Sequence, residues 1–184
     1  MELYTDTYYI ERILTGDTDC FACLLDKYSR PVHSLILKVV RNREDAEELA
    51  QDVFMKVFRN LASFKKECTF STWIYRIAYN TAISATRKKK YEFLAVEEEM
   101  IDNVSEEAIS NALGQSDTSS NMEKLDAALE QLSPDDRAII LLFYMEEKTI
   151  EEMATITGLS VSNLKVKLHR IRKKLFVLLN AMED

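Results

Sequence analysis

Apolar positions along the chain recur at intervals of three and four residues, the period of helices with one buried face. Thr5 to Leu14 reads as a short helix ended by Gly16, after which Asp17 or Thr18 can cap the next. That helix carries Phe21, Leu24, Leu25, Tyr28, Val32, Leu35, Ile36 and Val39 on one face, with a kink expected at Pro31. Asn42 followed by Asp45 resembles a capping box and opens a third helix. Leu49, Val53, Phe54, Val57, Phe58 and Leu61 are expected to face inward there, opposite Glu44, Asp45, Glu48, Gln51, Asp52 and Lys56. A loop over Ala62 to Thr69 then leads into a helix from Phe70 to Lys90.

The carboxy-terminal part is more sharply punctuated. After an amphipathic helix from Met122 to Leu132, Ser133-Pro134-Asp135-Asp136 supplies an N-cap, a first-turn proline and an acid at the third position. Arg137 to Met145 is largely apolar and should be buried. Thr149 with Glu152 opens a short helix that ends at Gly158, and Ser160 caps a last helix. Short helix, glycine turn and longer helix compose a helix-turn-helix. In the last helix Val161, Leu164, Leu168, Ile171, Leu175 and Leu178 must bury against Ile150, Met153, Ala154 and Ile156. Ser162, Asn163, Lys165, Val166, Lys167, His169 and Arg170 stay outward, offering polar groups to base edges and cations to phosphates.

Composition supports an all-α class. With 184 residues, 47% of them apolar, and only three glycines and two prolines, the chain has few turn formers for a many-stranded sheet. No apolar run reaches the ~18 residues of a membrane span, and the amino terminus lacks signal-peptide features, so a cytoplasmic protein is expected. The net charge of −7 is unevenly placed. Residues 1–95 hold 15 basic and 13 acidic side chains, 96–122 hold none and seven, and 123–184 hold nine and 11. The middle stretch reads as a flexible acidic linker between two small helical domains, spanning roughly 30 Å as a coil and about 90 Å extended. The domain limits read as residues 5–95, 96–122 and 123–182.

Basic residues bunch at Arg87-Lys88-Lys89-Lys90 and from Lys165 to Lys174, and aromatic residues at Phe64, Phe70, Trp73, Tyr75 and Tyr79 alternate with Lys65, Lys66 and Arg76. Rings that stack on bases beside cations that follow a backbone are the means of holding single-stranded nucleic acid, while Trp73, Ile74 and Ile77 also serve the core. Cys20, Cys23 and Cys68 are an odd count without metal-ligand spacing, and read as reduced helix thiols. Neither a phosphate-binding glycine loop, a pair of catalytic carboxylates nor an activated nucleophile is recognisable, so no enzyme, cofactor, metal or small-molecule substrate is expected.

Three blocks, NREDAEELAQDVFMKVFRNLASF, FSTWIYRIAYNTAISATRKKK and LSPDDRAIILLFYMEEKTIEEMATITGLSVSNLKVKLHRIRKKL, occur in this order. Together they resemble the extracytoplasmic-function group of bacterial RNA polymerase sigma factors over nearly the whole chain. The resemblance implies a sigma-2 domain at 5–95 and a sigma-4 helix-turn-helix domain at 123–182. It implies that Asp45, Glu48, Leu49, Gln51, Asp52 and Phe54 bind core RNA polymerase. It also implies that Lys65, Lys66, Phe70, Thr72, Trp73, Arg76, Asn80 and Arg87 hold the melted non-template strand of the minus-ten element. Ser162, Asn163, Lys165, Val166, Lys167, His169 and Arg170 would then read duplex at the minus-thirty-five element. Val166 departs from the small hydroxyl residue expected there, so the sequence read should differ from that of well-known relatives. The family further implies an anti-sigma partner, membrane-linked, and a linker that mimics nucleic acid inside the polymerase cleft. The rival reading is an ordinary helix-turn-helix regulator with an amino-terminal ligand- or protein-binding domain.

Overall fold

A computed structural model describes residues 5–88, 98–114 and 119–182, and every regular element among them is helical. The helices are α1 Asp6–Leu14, α2 Phe21–Val40, α3 Arg43–Asn60, α4 Phe70–Lys88, α5 Glu98–Asp102, α6 Glu106–Gly114, α7 Ser119–Gln131, α8 Pro134–Tyr144, α9 Ile150–Thr157 and α10 Val161–Ala181. Lys89, Lys90, the domain limit at residue 95 and linker residues 96–97 and 115–118 lie outside the described residues.

Asp17 and Thr18 do not cap α2, which starts after Cys20 without a side-chain cap, because Thr18–Cys20 form a short 3-10 turn first; the starts of α3, α8, α9 and α10 follow the caps in the sequence. Asn42 accepts from the Asp45 amide at 2.9 Å, Ser133 from Asp136 at 3.2 Å, and Ser160 from Asn163 at 3.2 Å, each satisfying an amide that the first turn leaves unpaired. Thr149 and Glu152 form the complete reciprocal box. Between α9 and α10, Gly158 takes the left-handed conformation with φ 76°, which closes the tight turn of the helix-turn-helix. Pro31 sits within α2, which runs unbroken through it.

In the amino-terminal unit α2, α3 and α4 pack on one another, burying Leu24, Val32, Ile36, Val53, Val57 and Ile74. In the carboxy-terminal unit α7, α8 and α9 support α10 through Ile139, Leu142, Met153, Ile156, Leu164 and Ile171. The two units are not held apart: α2 packs on α8, α4 packs on α8 and α9, and one continuous apolar cluster runs through both.

Arg137 ties the units together. It is 2% exposed although it carries a charge, and its guanidinium points at the carboxy-terminal ends of two helices. Nε donates to Leu129 O at 2.8 Å and Nη2 to Glu130 O and Leu132 O at 3.0 and 2.7 Å, at the end of α7. Nη1 donates to Lys38 O and Val39 O at 3.1 and 3.0 Å, at the end of α2. These carbonyls lie at the carboxy-terminal ends of α7 and α2, where the negative end of the helix dipole favours a cation.

The linker departs from the expected coil over its described part. Residues 98–114 form α5 and α6, both packed on α10, with Ile101 and Ile109 buried at 2% and 0% exposure. Two isoleucines inside an acidic stretch give it an apolar side to dock, which composition alone conceals.

Replacing Arg137 by Ala orphans carbonyls on both sides of the interface and should cost about 3 kcal/mol. Urea denaturation is expected to show one transition at a lower midpoint; two transitions, with only the second displaced, would contradict a shared core.

Candidate polymerase and nucleic-acid interfaces

On α3 the polar face stands outward as the sequence requires. Glu48, Gln51 and Asp52 are exposed, while Asp45, Leu49 and Phe54 are half-buried. Phe58 was expected inside but is 43% exposed, because Val53, Val57 and Leu61 already fill the core side. Phe58 instead meets Phe21 edge to face at 5.0 Å across an open groove between α2 and α3. Leu25, His33, Gln51, Phe54 and Met55 complete that groove, and His33 Nε2 within it is buried without a hydrogen-bond partner. The sequence concealed this groove because apolar residues at helical spacing read equally as core.

The minus-ten candidates divide. Trp73 is half-buried against Phe64 and Phe70, with ring centroids at 5.2 and 5.8 Å. Lys65, Arg76, Asn80 and Arg87 are exposed, and Lys66 is exposed while bound to Glu11 at 2.8 Å. Phe70 is in the core. Thr72 is buried, its hydroxyl 3.1 Å from Glu152 of α9. Neither is open to a nucleotide while the units are packed.

That packing follows one stripe of α4. Thr72 meets Glu152, the Tyr75 hydroxyl donates to Glu146, and the Tyr79 hydroxyl donates to Asp135 at 3.2 Å. Lys148 Nζ donates to Ser71 at 2.6 Å from the same side. Burial and the adjoining carboxylates push both tyrosine hydroxyls well above their ordinary pKa, so they remain donors. Glu152 lies below the ordinary carboxylate range: burial opposes its ionisation, but hydrogen bonds from Thr149 and Thr72 and the nearby Lys148 charge outweigh it.

On α10, Ser162, Asn163, Lys165, Val166 and Arg170 are exposed, Val166 at 62%. Acidic side chains meet part of this set. Lys167 is half-buried and 3.2 Å from Asp136, and His169 Nδ1 is 2.6 Å from Glu106 of α6. Asp136 also holds Lys174 at 2.8 Å. Part of the basic run in α10 therefore fastens the helix to α8, a role the sequence does not distinguish from phosphate contact. Burial disfavours the Asp136 carboxylate, but Lys174 and Lys167 more than compensate and hold its pKa below the usual value. No group of three or more metal-ligating side chains occurs among the described residues.

Comparison with known proteins finds Sigma-70 region 2 at residues 24–91 and Sigma-70, region 4, at residues 122–175. The ECF RNA polymerase sigma factor SigW of Bacillus subtilis is 30% identical over 90% of this chain and 92% of its own. The ECF RNA polymerase sigma-E factor of Haemophilus influenzae is 30% identical over 94% of each. Among solved structures, CnrH in complex with the cytosolic domain of CnrY superposes with a TM-score of 0.70 at 20% identity, covering 96% of this chain and 97% of the other. The sigma factor RpoE in complex with the anti-sigma factor NepR from Bartonella quintana gives 0.65 at 22% identity, covering 87% and 96%. At these identities the two structures establish the fold.

A depressed carboxylate pKa stabilises the folded state above the unfolded value of ~3.9 and loses that contribution as pH falls through the folded value. Asp136→Asn should therefore remove part of the stability at neutral pH and flatten its decline on the acid side. Urea midpoints measured from pH 6 down to pH 2.5 test this; parallel curves for the two proteins would reject the assigned ion pairs.

Proposed function

Because this chain belongs to the extracytoplasmic-function RNA polymerase sigma factors, we propose that it binds core polymerase through α3, holds a melted minus-ten strand on α4 and its preceding loop, and reads minus-thirty-five duplex with α10. The observation that carries the assignment is the pair of outward faces: Glu48, Gln51 and Asp52 on α3, and Ser162, Asn163, Lys165, Val166 and Arg170 beyond the glycine turn. The ordinary-regulator reading is set aside, because residues 24–91 match Sigma-70 region 2 where a ligand-binding domain would have to be.

Each surface suits its task. The α2–α3 groove offers apolar area beside polar Glu47 and Gln51, a setting for a helix of the polymerase. Trp73 packed on Phe64 and Phe70, with Arg76 and Asn80 exposed near it, supplies a ring platform and polar groups for an unstacked base. Flipping a base costs a few kcal/mol, which such contacts offset without nucleotide hydrolysis. On α10, Asn163 suits an adenine edge, Lys165 and Arg170 suit guanine or phosphate, and Val166 suits a thymine methyl.

The packed form cannot perform all of this at once. The two promoter elements lie about 25 base pairs apart, some 85 Å at ~3.4 Å per pair. A compact chain of 184 residues has a radius of gyration near 16 Å. Promoter recognition therefore entails parting α4 from α8 and α9, which uncovers Thr72 and breaks the Arg137 contacts to α2. Domain limits at 5–95 and 123–182 suit that opening. An anti-sigma partner would act by holding the packed form; polymerase would act by replacing it. The site of action is the cytoplasm, where polymerase and promoter are, and the work is done by binding, with no catalytic residue.

Core polymerase pull-down followed by transcription from a promoter library tests the assignment; absence of a holoenzyme would overturn it. Gln51→Ala with Asp52→Ala should reduce holoenzyme formation, and unchanged assembly would reject the α3 surface. Arg170→Ala or Lys165→Ala should weaken promoter binding, with a shallower salt dependence where the lost contact is to phosphate. Equal affinity and slope would reject the α10 assignment.

A further inference from the structure

The linker makes a specific contact. Its α5 and α6 both pack on α10, and their two buried isoleucines, Ile101 and Ile109, form no part of the main apolar cluster. This side of the linker is a separate attachment that can leave without opening either unit's core. The same contact brings Glu106 onto His169, one of the outward residues of α10, at 2.6 Å. Residues 98–114 contain five acidic side chains and no basic one.

We infer that α5–α6 is a strap that flanks the duplex-reading part of α10 at His169 in the free chain, leaving Ser162, Asn163, Lys165, Val166 and Arg170 exposed, and that it must be displaced before that helix enters a major groove. The inference rests on the reading of α10 given above. The steric conflict between strap and duplex is independent of which bases are read. A helix with its side chains is ~10–12 Å across and a major groove is ~12 Å wide, so α10 alone fills it. His169 lies eight residues beyond Val161, about 12 Å along the helix at ~1.5 Å per residue, within the part that must enter. A second helix seated at ~8–10 Å from the α10 axis on that flank would overlap the phosphate wall. Charge acts in the same direction, since Asp102 and Glu107 are exposed on the strap and repel the phosphates that Lys165 and Arg170 would attract.

The strap and the duplex backbone thus compete for the space along one flank of α10. Because the strap is tethered, it competes at a high effective concentration, and the duplex must exceed that before it is admitted. Polymerase that draws the linker into its own cleft would remove the competitor, coupling linker capture to DNA reading.

The test uses the full chain and a labelled random-sequence duplex two helical turns long, at low salt. Ile109→Asp, which releases the strap while leaving the main core whole, should tighten duplex binding by at least ~5-fold. Glu106→Gln, which only cuts the tie to His169, should tighten it by a smaller factor. Hydrogen exchange of the amides from Met100 to Ile109 should accelerate in Ile109→Asp, and in the wild type when saturating duplex is added. Accelerated exchange in Ile109→Asp with unchanged affinity would overturn the strap. So would wild-type amides that stay protected when duplex is bound. Arg170→Ala, run alongside, separates the two failures. If it weakens binding while the strap variants do nothing, α10 reads DNA and the strap does not obstruct it. If neither Arg170→Ala nor Ile109→Asp changes binding, the reading of α10 fails and the strap's role falls with it.

Discussion

Arg137 is the contact on which the arrangement of this molecule depends. A buried guanidinium is costly unless its donors are met, and here they are met by carbonyls at the ends of α7 and α2. One side chain thereby completes two helix termini belonging to different units. Separating the units returns the Lys38 and Val39 carbonyls to water and takes those two acceptors from the guanidinium. The packed state is consequently favoured by satisfied polar groups as well as by apolar area. It can still be undone by a partner that offers the exposed α4 and α2 surfaces something better.

The neighbouring contacts have the same character. Thr72, Tyr75 and Tyr79 place hydroxyls along one stripe of α4, and Glu152, Glu146 and Asp135 receive them. These are polar contacts that water can replace, unlike the burial of Ile74 or Val57 inside the amino-terminal unit. The molecule joins its two units through one continuous apolar cluster that is bordered by polar contacts suited to exchange. Under the proposed function, that arrangement would let one chain be compact when alone and extended over a promoter in a holoenzyme.

Much of this was legible from the residues. Every cap from Asn42 to Ser160 follows from short polar side chains set before apolar runs, because unpaired first-turn amides need an acceptor nearby in sequence. The helix-turn-helix was legible for the same reason, through Gly158. Contacts between residues far apart in sequence were not. Nothing in the spacing of Arg137 distinguishes a buried clamp from a solvated first-turn cation, and nothing in Lys167 shows that Asp136 claims it. The α2–α3 groove was hidden because Phe21, Leu25 and Phe58 match the helical period of core residues. Linker helices α5 and α6 were hidden by composition, since two isoleucines among acids and serines weigh little until α10 is beside them.

Distance between the units is the most direct measure of the account. Spin labels at exposed Arg59 on α3 and exposed Glu151 on α9, in a chain freed of its native cysteines, should give one short, narrow distribution for the free protein. Addition of core polymerase and promoter DNA should replace it with a much longer one. A broad, long distribution in the free chain, or a short one that persists in the promoter complex, would contradict a closed chain that opens to work.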